Sequence, residues 1–276
     1  MAISVYDGQH SAEAQKVPDR RQGERGLALF LLLASVFQIA GAAVPEILHL
    51  GVSVSMRSLQ TQHPLVPEGI AFSIWSLIYL TGVIAAIWAL RSPDRAGRFG
   101  FALMCLSLIF WLNGAWALWV PFRGFDALSM LMIILSLGAG IAALMRLRAQ
   151  VMTVHEVLCL GLPLALVTGW LSAAMPLNIT SAMVETGFAA FDPRVPVNSA
   201  LVLGLLVLLA MTVIWLTRNR LYALPVIWAL FWVVSAAVTR DHLPLMAALG
   251  GIGIGFILVE VGLLSLRRKA KGPAPV

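Results

Sequence analysis

Apolar residues in this chain come in long blocks, without the two-residue alternation of a half-buried strand or the narrow stripe of a soluble amphipathic helix. The blocks lie at about 26–44, 68–90, 100–121, 127–145, 151–179, 197–217, 221–239 and 243–266. Each can cross the bilayer as a helix, for which roughly 20 apolar residues span about 30 Å of hydrocarbon. The pattern predicts an all-α fold: a polytopic integral membrane helix bundle of about eight transmembrane helices.

Basic residues between the blocks orient it. Fifteen of the nineteen Lys and Arg fall before the first block and in every second connection after it; only Arg57, Arg123, Arg194 and Arg240 fall on the other side. Both termini are therefore expected in the cytoplasm. Residues 1–25 are polar, with no apolar period, and are expected to form a disordered cytoplasmic tail. The basic start of the first block, followed by Ala40-Gly41-Ala42, has the outline of a secretory signal with its cleavage site. That helix is nonetheless read as retained.

Composition agrees with the pattern. The chain is 60% hydrophobic and 12% charged, against about 25% charged in a soluble domain. A net charge of +6 would suit nucleic acid, but the basic residues sit in small groups and build no patch. The lipid bilayer is the expected partner and nucleic acid is not. Cys105 and Cys159 lie within apolar blocks, as packed thiols do.

Candidate chemistry gathers near one membrane depth. Phe72, Trp75 and Tyr79 recur at spacings of three and four, so they share a helix face. Trp75 lies seven residues inside Glu68, roughly 10 Å along a helix, too deep for an interface anchor. Asn113 and Trp116 share a face roughly 12 Å and 8 Å from Pro121. Trp170 lies about 12 Å below Asn178. If these faces converge they line an aromatic cavity in the outer half of the bundle, beneath the 46–67 loop. The plainer alternative is helix-to-helix packing, with the Asn side chains bonded across interfaces.

Phe72-Ser73-Ile74-Trp75-Ser76-Leu77-Ile78-Tyr79 after Pro67, Asn113-Gly114-Ala115-Trp116, and Trp170 through Leu177-Asn178 resemble the tryptophan-rich sensory protein or translocator protein family (TspO/MBR). The resemblance covers residues 26–182, a five-helix unit, and leaves 183–276 as a three-helix membrane extension with a short basic cytoplasmic tail. It implies a membrane receptor or carrier, often a homodimer, whose outer-half cavity takes a flat apolar ligand such as a tetrapyrrole (porphyrin or haem type) or a sterol-like lipid. By position it implies Phe72, Trp75, Tyr79, Asn113, Trp116, Trp170 and Asn178 as ligand-binding residues. No cofactor is required, although a porphyrin or haem-type ligand could be bound. The inner (cytoplasmic) membrane of a bacterium is the expected location. The chain departs from the short members in placing Phe72 three rather than four residues before Trp75, and its 46–67 loop lacks tryptophan.

Ionisable groups at membrane depth suggest a rival function, proton-coupled transport of a small molecule through Glu260 or Glu156. His155-Glu156 is otherwise read as an interfacial pair near Arg146 or Arg148. Glu46, His49, His63 and Glu68 flank the 46–67 loop without any metal-ligand spacing, so they are read as solvated and no metal is expected. Gly251 and Gly255 suggest close helix packing. No nucleophile–base pair is evident, so the chain is not expected to be an enzyme.

Overall fold

The computed structural model describes residues 7–188 and 190–270, with side chains described from 22 to 266 apart from 95, 96 and 189. Residues 1–6 of the expected tail and the basic end beyond 270 lie outside the described residues. The long helices are α1 (Asp7–Ile47), α3 (Ile74–Arg91), α5 (Gly100–Arg123), α6 (Ala127–Arg148), α8 (Leu162–Thr186), α9 (Pro196–Thr217), α10 (Ala223–Thr239) and α11 (Pro244–Ala270). Short helices α2 (Val54–Gln60), α4 (Pro93–Arg98) and α7 (Val154–Glu156) sit in the connections. Seven spans have the length and hydropathy to cross a membrane, and the eighth apolar helix, Ala223–Thr239, has 17 residues, the lower limit for a crossing. The protein is an integral membrane helix bundle, with no strand among the described residues.

The first helix starts earlier than expected. Helical backbone reaches back to Asp7, into the stretch read as a tail without regular structure. Local propensity accounts for this, because Ala, Glu, Gln, Lys and Arg dominate there and all favour helix. Further along, α1 buries Ala28, Leu31, Ala34, Ser35 and Gln38, a three-to-four-residue stripe, so it is a full member of the core.

Five spans close into a ring in which α1 packs on α5, α5 on α6, α6 on α8, α8 on α3, and α3 on α1. The α1–α5 crossing is close because both helices present glycine: a Cβ on Gly41 would lie 2.6 Å from the Gly114 carbonyl oxygen. The last three spans pack on one side of the ring, α10 against α8, α9 against α8 and α6, and α11 against α9 and α10. Within α11 the close-packing glycines are not the expected pair. Gly250 and Gly253 face Val234 and Val207, where a Cβ would come within 2.5 and 2.6 Å, whereas Gly251 and Gly255 face open space. A three-residue spacing keeps Gly250 and Gly253 on the face that meets α9 and α10, and turns the other two outward.

Candidate functional site

The aromatic helix is held at its N-terminal end by α10. Arg240 Nη2 donates to the Val66 carbonyl (2.7 Å), Glu68 N–H to the Trp232 carbonyl (3.3 Å), and Trp228 Nε1 to the Ala71 carbonyl (2.9 Å). The Thr239 hydroxyl donates to Glu68 Oε1 at 3.0 Å. These bonds fix residues 66–71, which enter α3 through the 3-10 turn Gly69–Ser73.

From that anchored start, Phe72, Trp75 and Tyr79 project along one face, with Trp75 stacked on Tyr79 at a centroid distance of 5.6 Å. They meet Asn113, Trp116 and Ala117 of α5 around a cavity of about 270 Å³. Ala42, Pro45 and Glu46 at the end of α1, with Val54 and Ser55 of α2, complete its wall. The cavity lies at the end of the bundle where α1 and α5 finish and α3 begins.

Trp170 and Asn178 do not reach this cavity. They line a space of about 20 Å³ behind it, which shares Phe72, Trp75 and Trp116 with the larger one. The reason is steric: the rings of Phe72 and Trp75 fill the gap between α3 and α8 and meet Trp170 edge-on at 6.0 and 6.2 Å. Of the seven expected ligand-binding residues, five face the cavity and two support it from behind.

The polar atoms of the residues around these two spaces are unusual. Asn113 is 4% exposed, and neither its Nδ2 nor its Oδ1 has a hydrogen-bond partner in the protein; the same holds for Trp116 Nε1. Asn178 is half-satisfied, its Oδ1 accepting from the Ser129 hydroxyl at 3.2 Å while its Nδ2 has no partner. A buried polar group without a partner costs about 1–3 kcal/mol.

The 46–67 loop roofs the cavity with α2, whose first turn is capped by the Ser53 hydroxyl accepting from Met56 N–H. The last carbonyls of a helix have no partner within it, and here the Pro121 carbonyl near the end of α5 accepts from Val52 N–H (2.9 Å) and Arg57 Nη2 (3.3 Å). Gly51 turns the chain with φ +73, and a Cβ there would lie 2.6 Å from the Pro121 oxygen. Arg57 also pairs with Glu185 at 3.6 Å, and Glu185 Oε2 accepts from Phe125 N–H at 2.7 Å.

His63 was read as solvated and is instead 3% exposed. The loop folds back, and the ring sits against α8 with Nε2 3.2 Å from both Ser181 Oγ and Thr180 Oγ1. Its Nδ1 accepts from Leu65 N–H at 3.4 Å, which leaves the single proton of the neutral ring on Nε2. Burial, then the nearby positive charge of Arg240, lowers its pKa to about 4 against a smaller opposing effect of Asp241. A histidine among Thr61, Gln62 and Pro64 gives no sign of this burial in the sequence. The Ser53 cap before Val54 was the available signal for a helix within the loop.

The other ionisable residues disperse. Glu46 stands at the cavity wall, Glu68 bonds Thr239, and no three His, Cys, Asp or Glu side chains converge as metal ligands among the described residues. Glu156 is buried in a capping box, its Oε2 accepting from Thr153 N–H at 2.8 Å. Its basic partner is Arg98, at 3.8 Å, in place of the expected Arg146 or Arg148, because the Arg98 side chain at the end of α4 reaches the start of the fifth span, where it also donates to the Val151 carbonyl. Glu260 Oε2 in α11 is buried without a hydrogen-bond partner.

The family model described as TSPO-like protein matches residues 27–262. The chain belongs to this family. Membership goes with a receptor or transporter type of function in the membrane. The match runs from α1 into α11, so the last three spans lie within the family pattern together with the ring of five. No curated protein and no solved structure matches the chain.

Proposed function

We propose that this TSPO-like family member is a receptor or carrier, and not an enzyme, for a flat apolar molecule: a tetrapyrrole of the porphyrin or haem type, or a sterol-like lipid. The ligand enters the aromatic cavity from the outer side of a bacterial inner membrane. The observation that carries this reading is the set of buried, unpartnered polar atoms belonging to Asn113 and Trp116, two residues that line a ring-lined cavity. Ligand sites combine an apolar lining with a few convergent polar groups. A carboxylate on the ligand edge would accept from Asn113 Nδ2 and Trp116 Nε1 while its face stacks on the Trp75–Tyr79 pair. The cavity, about 270 Å³, is slightly below the usual range of about 300–1,000 Å³. A tetrapyrrole therefore enters only with some displacement of α2.

The test is a titration of the purified chain with protoporphyrin IX, followed by quenching of tryptophan emission, with cholesterol in a parallel series. Saturable binding of one of them is expected. Trp116→Phe keeps most of the apolar volume and removes the indole N–H, costing on the order of 1–2 kcal/mol, about five- to thirtyfold in affinity. Equal affinity in parent and variant would show that Trp116 only packs, and the reading would fail.

A second reading, proton-coupled transport, is favoured by one observation, the unpartnered Glu260 carboxylate oxygen within α11. Glu156, engaged by Thr153 and Arg98, is the weaker candidate. In proteoliposomes with an imposed pH gradient, ligand accumulation abolished by Glu260→Gln would favour transport. Saturable binding without accumulation would eliminate it.

A further inference from the structure

We propose that the opposite end of the bundle holds a second site, which binds a phosphate ester carried either on a membrane glycerolipid or on a soluble molecule. The end of α6, the start of the fifth span, the α9–α10 turn and the end of α11 enclose a cavity of about 620 Å³ there. Three arginines line it, Arg148, Arg218 and Arg220. This is the end of the bundle to which the sequence assigns most of the basic residues. None of the three forms an ion pair with a carboxylate among the described residues. Glu260 of α11 is not within ion-pair distance of Arg218.

Each guanidinium carries five N–H donors, and few of them are used. Arg148 Nη1 donates to the Leu216 carbonyl at 2.7 Å and Arg220 Nη1 to Ser265 Oγ at 2.9 Å. Arg218 lies over the Trp215 ring at 5.4 Å. These contacts hold the side chains in place and leave their remaining donors for an anion. Guanidinium forks match phosphate oxygens bidentately, and basic pockets between transmembrane helices on the cytoplasmic side suit phospholipid headgroups. Gln150, also on the wall, has a buried Oε1 with no partner. Rotated toward the cavity, that acceptor would fit a hydroxyl of a glycerol group. The remaining wall is apolar, with Leu147, Met152, Leu221 and Val261, which suits the start of an acyl chain.

The experiment uses the full chain purified in detergent. Native mass spectrometry compares retention of phosphatidylglycerol with phosphatidylcholine, and a thermal scan measures the midpoint shift with glycerol 3-phosphate. Preferential retention of phosphatidylglycerol identifies the lipid as the source, whereas a midpoint rise with glycerol 3-phosphate identifies a soluble ester. In either case Arg148→Gln with Arg220→Gln should weaken the response roughly tenfold or more, and the paired Lys variant, which keeps the charge without the planar fork, should lose less than the Gln variant. If the Gln variant does not fold, the parent is compared at about 0.1 M and about 1 M salt, which cuts the screening length from about 10 Å to about 3 Å. The response must then shrink with salt. No phosphatidylglycerol preference together with no glycerol 3-phosphate shift, or a response indifferent to the Gln variant and to salt, would overturn the proposal.

Discussion

Replacing Asn113 by Leu separates a packing role from a binding role, because the two predict opposite signs. Asn113 is 4% exposed and both amide atoms lack partners. In the empty protein a buried amide in that state costs about 1–3 kcal/mol. Leu has similar bulk and no polar atoms, so Asn113→Leu should stabilise the unliganded protein. At about 2–4 °C per kcal/mol for a chain of a few hundred residues, the melting midpoint should rise by several degrees. Binding should move the other way. A hydrogen bond to a ligand carboxylate is worth about 1.5–3 kcal/mol, so porphyrin affinity should fall roughly ten- to a hundredfold. The assay pairs a thermal scan of unliganded protein with the protoporphyrin IX titration on the same preparation. A lowered midpoint with unchanged affinity would mean that Asn113 is bonded within the fold, and the reasoning would be refuted.

Two further predictions concern the frame around the cavity. His63 is neutral when folded, with a pKa of about 4, and titrates near 6.5 when released. The unfolded state thus binds more protons between those values, so stability is lost as pH falls from about 6.5 to about 4, by up to about 3 kcal/mol, and is indifferent to this group above that window. Melting midpoints of parent and His63→Gln should diverge on acidification, the parent falling more steeply; parallel curves would count against the buried-ring account. Gly41→Ala should lower the midpoint, since its Cβ would press on the Gly114 carbonyl and overpacking costs about 1–3 kcal/mol. Gly138→Ala, in open space within α6, should instead raise it by up to about 1 kcal/mol equivalent; a lowered midpoint for both would remove the close-crossing argument.

The bundle was legible because hydrocarbon demands long apolar blocks; the block ending at 217 stops at the helix end Thr217, and those ending at 121 and 145 stop two and three residues short of the helix ends Arg123 and Arg148. Periodicity also placed Phe72, Trp75 and Tyr79 on one face, and Asn113 with Trp116, since a helix fixes which residues share a side. Sequence spacing says nothing of which helices become neighbours. Trp170 therefore fell behind the cavity, on a helix lying across the Phe72 and Trp75 rings. His63 differs for a related reason, because a histidine in a loop reads as solvated until the chain folds back on α8. Spacing alone points to Gly251 and Gly255, whereas the packed face of α11 is set by where α9 and α10 lie.

The bonds from α10 to residues 66–71 bear on how the chain can be divided. Five spans form a closed ring, yet the support for the start of its aromatic helix comes from outside that ring. Arg240 and Trp228 supply the donors to the Val66 and Ala71 carbonyls, and the Trp232 carbonyl receives the Glu68 amide. A chain cut after the fifth span would leave three backbone groups to find other partners at the foot of the cavity wall, each worth about 1–3 kcal/mol if left buried and unpaired. The ring is complete as topology and incomplete as a mechanical part, because the start of its aromatic helix is braced by a span outside it.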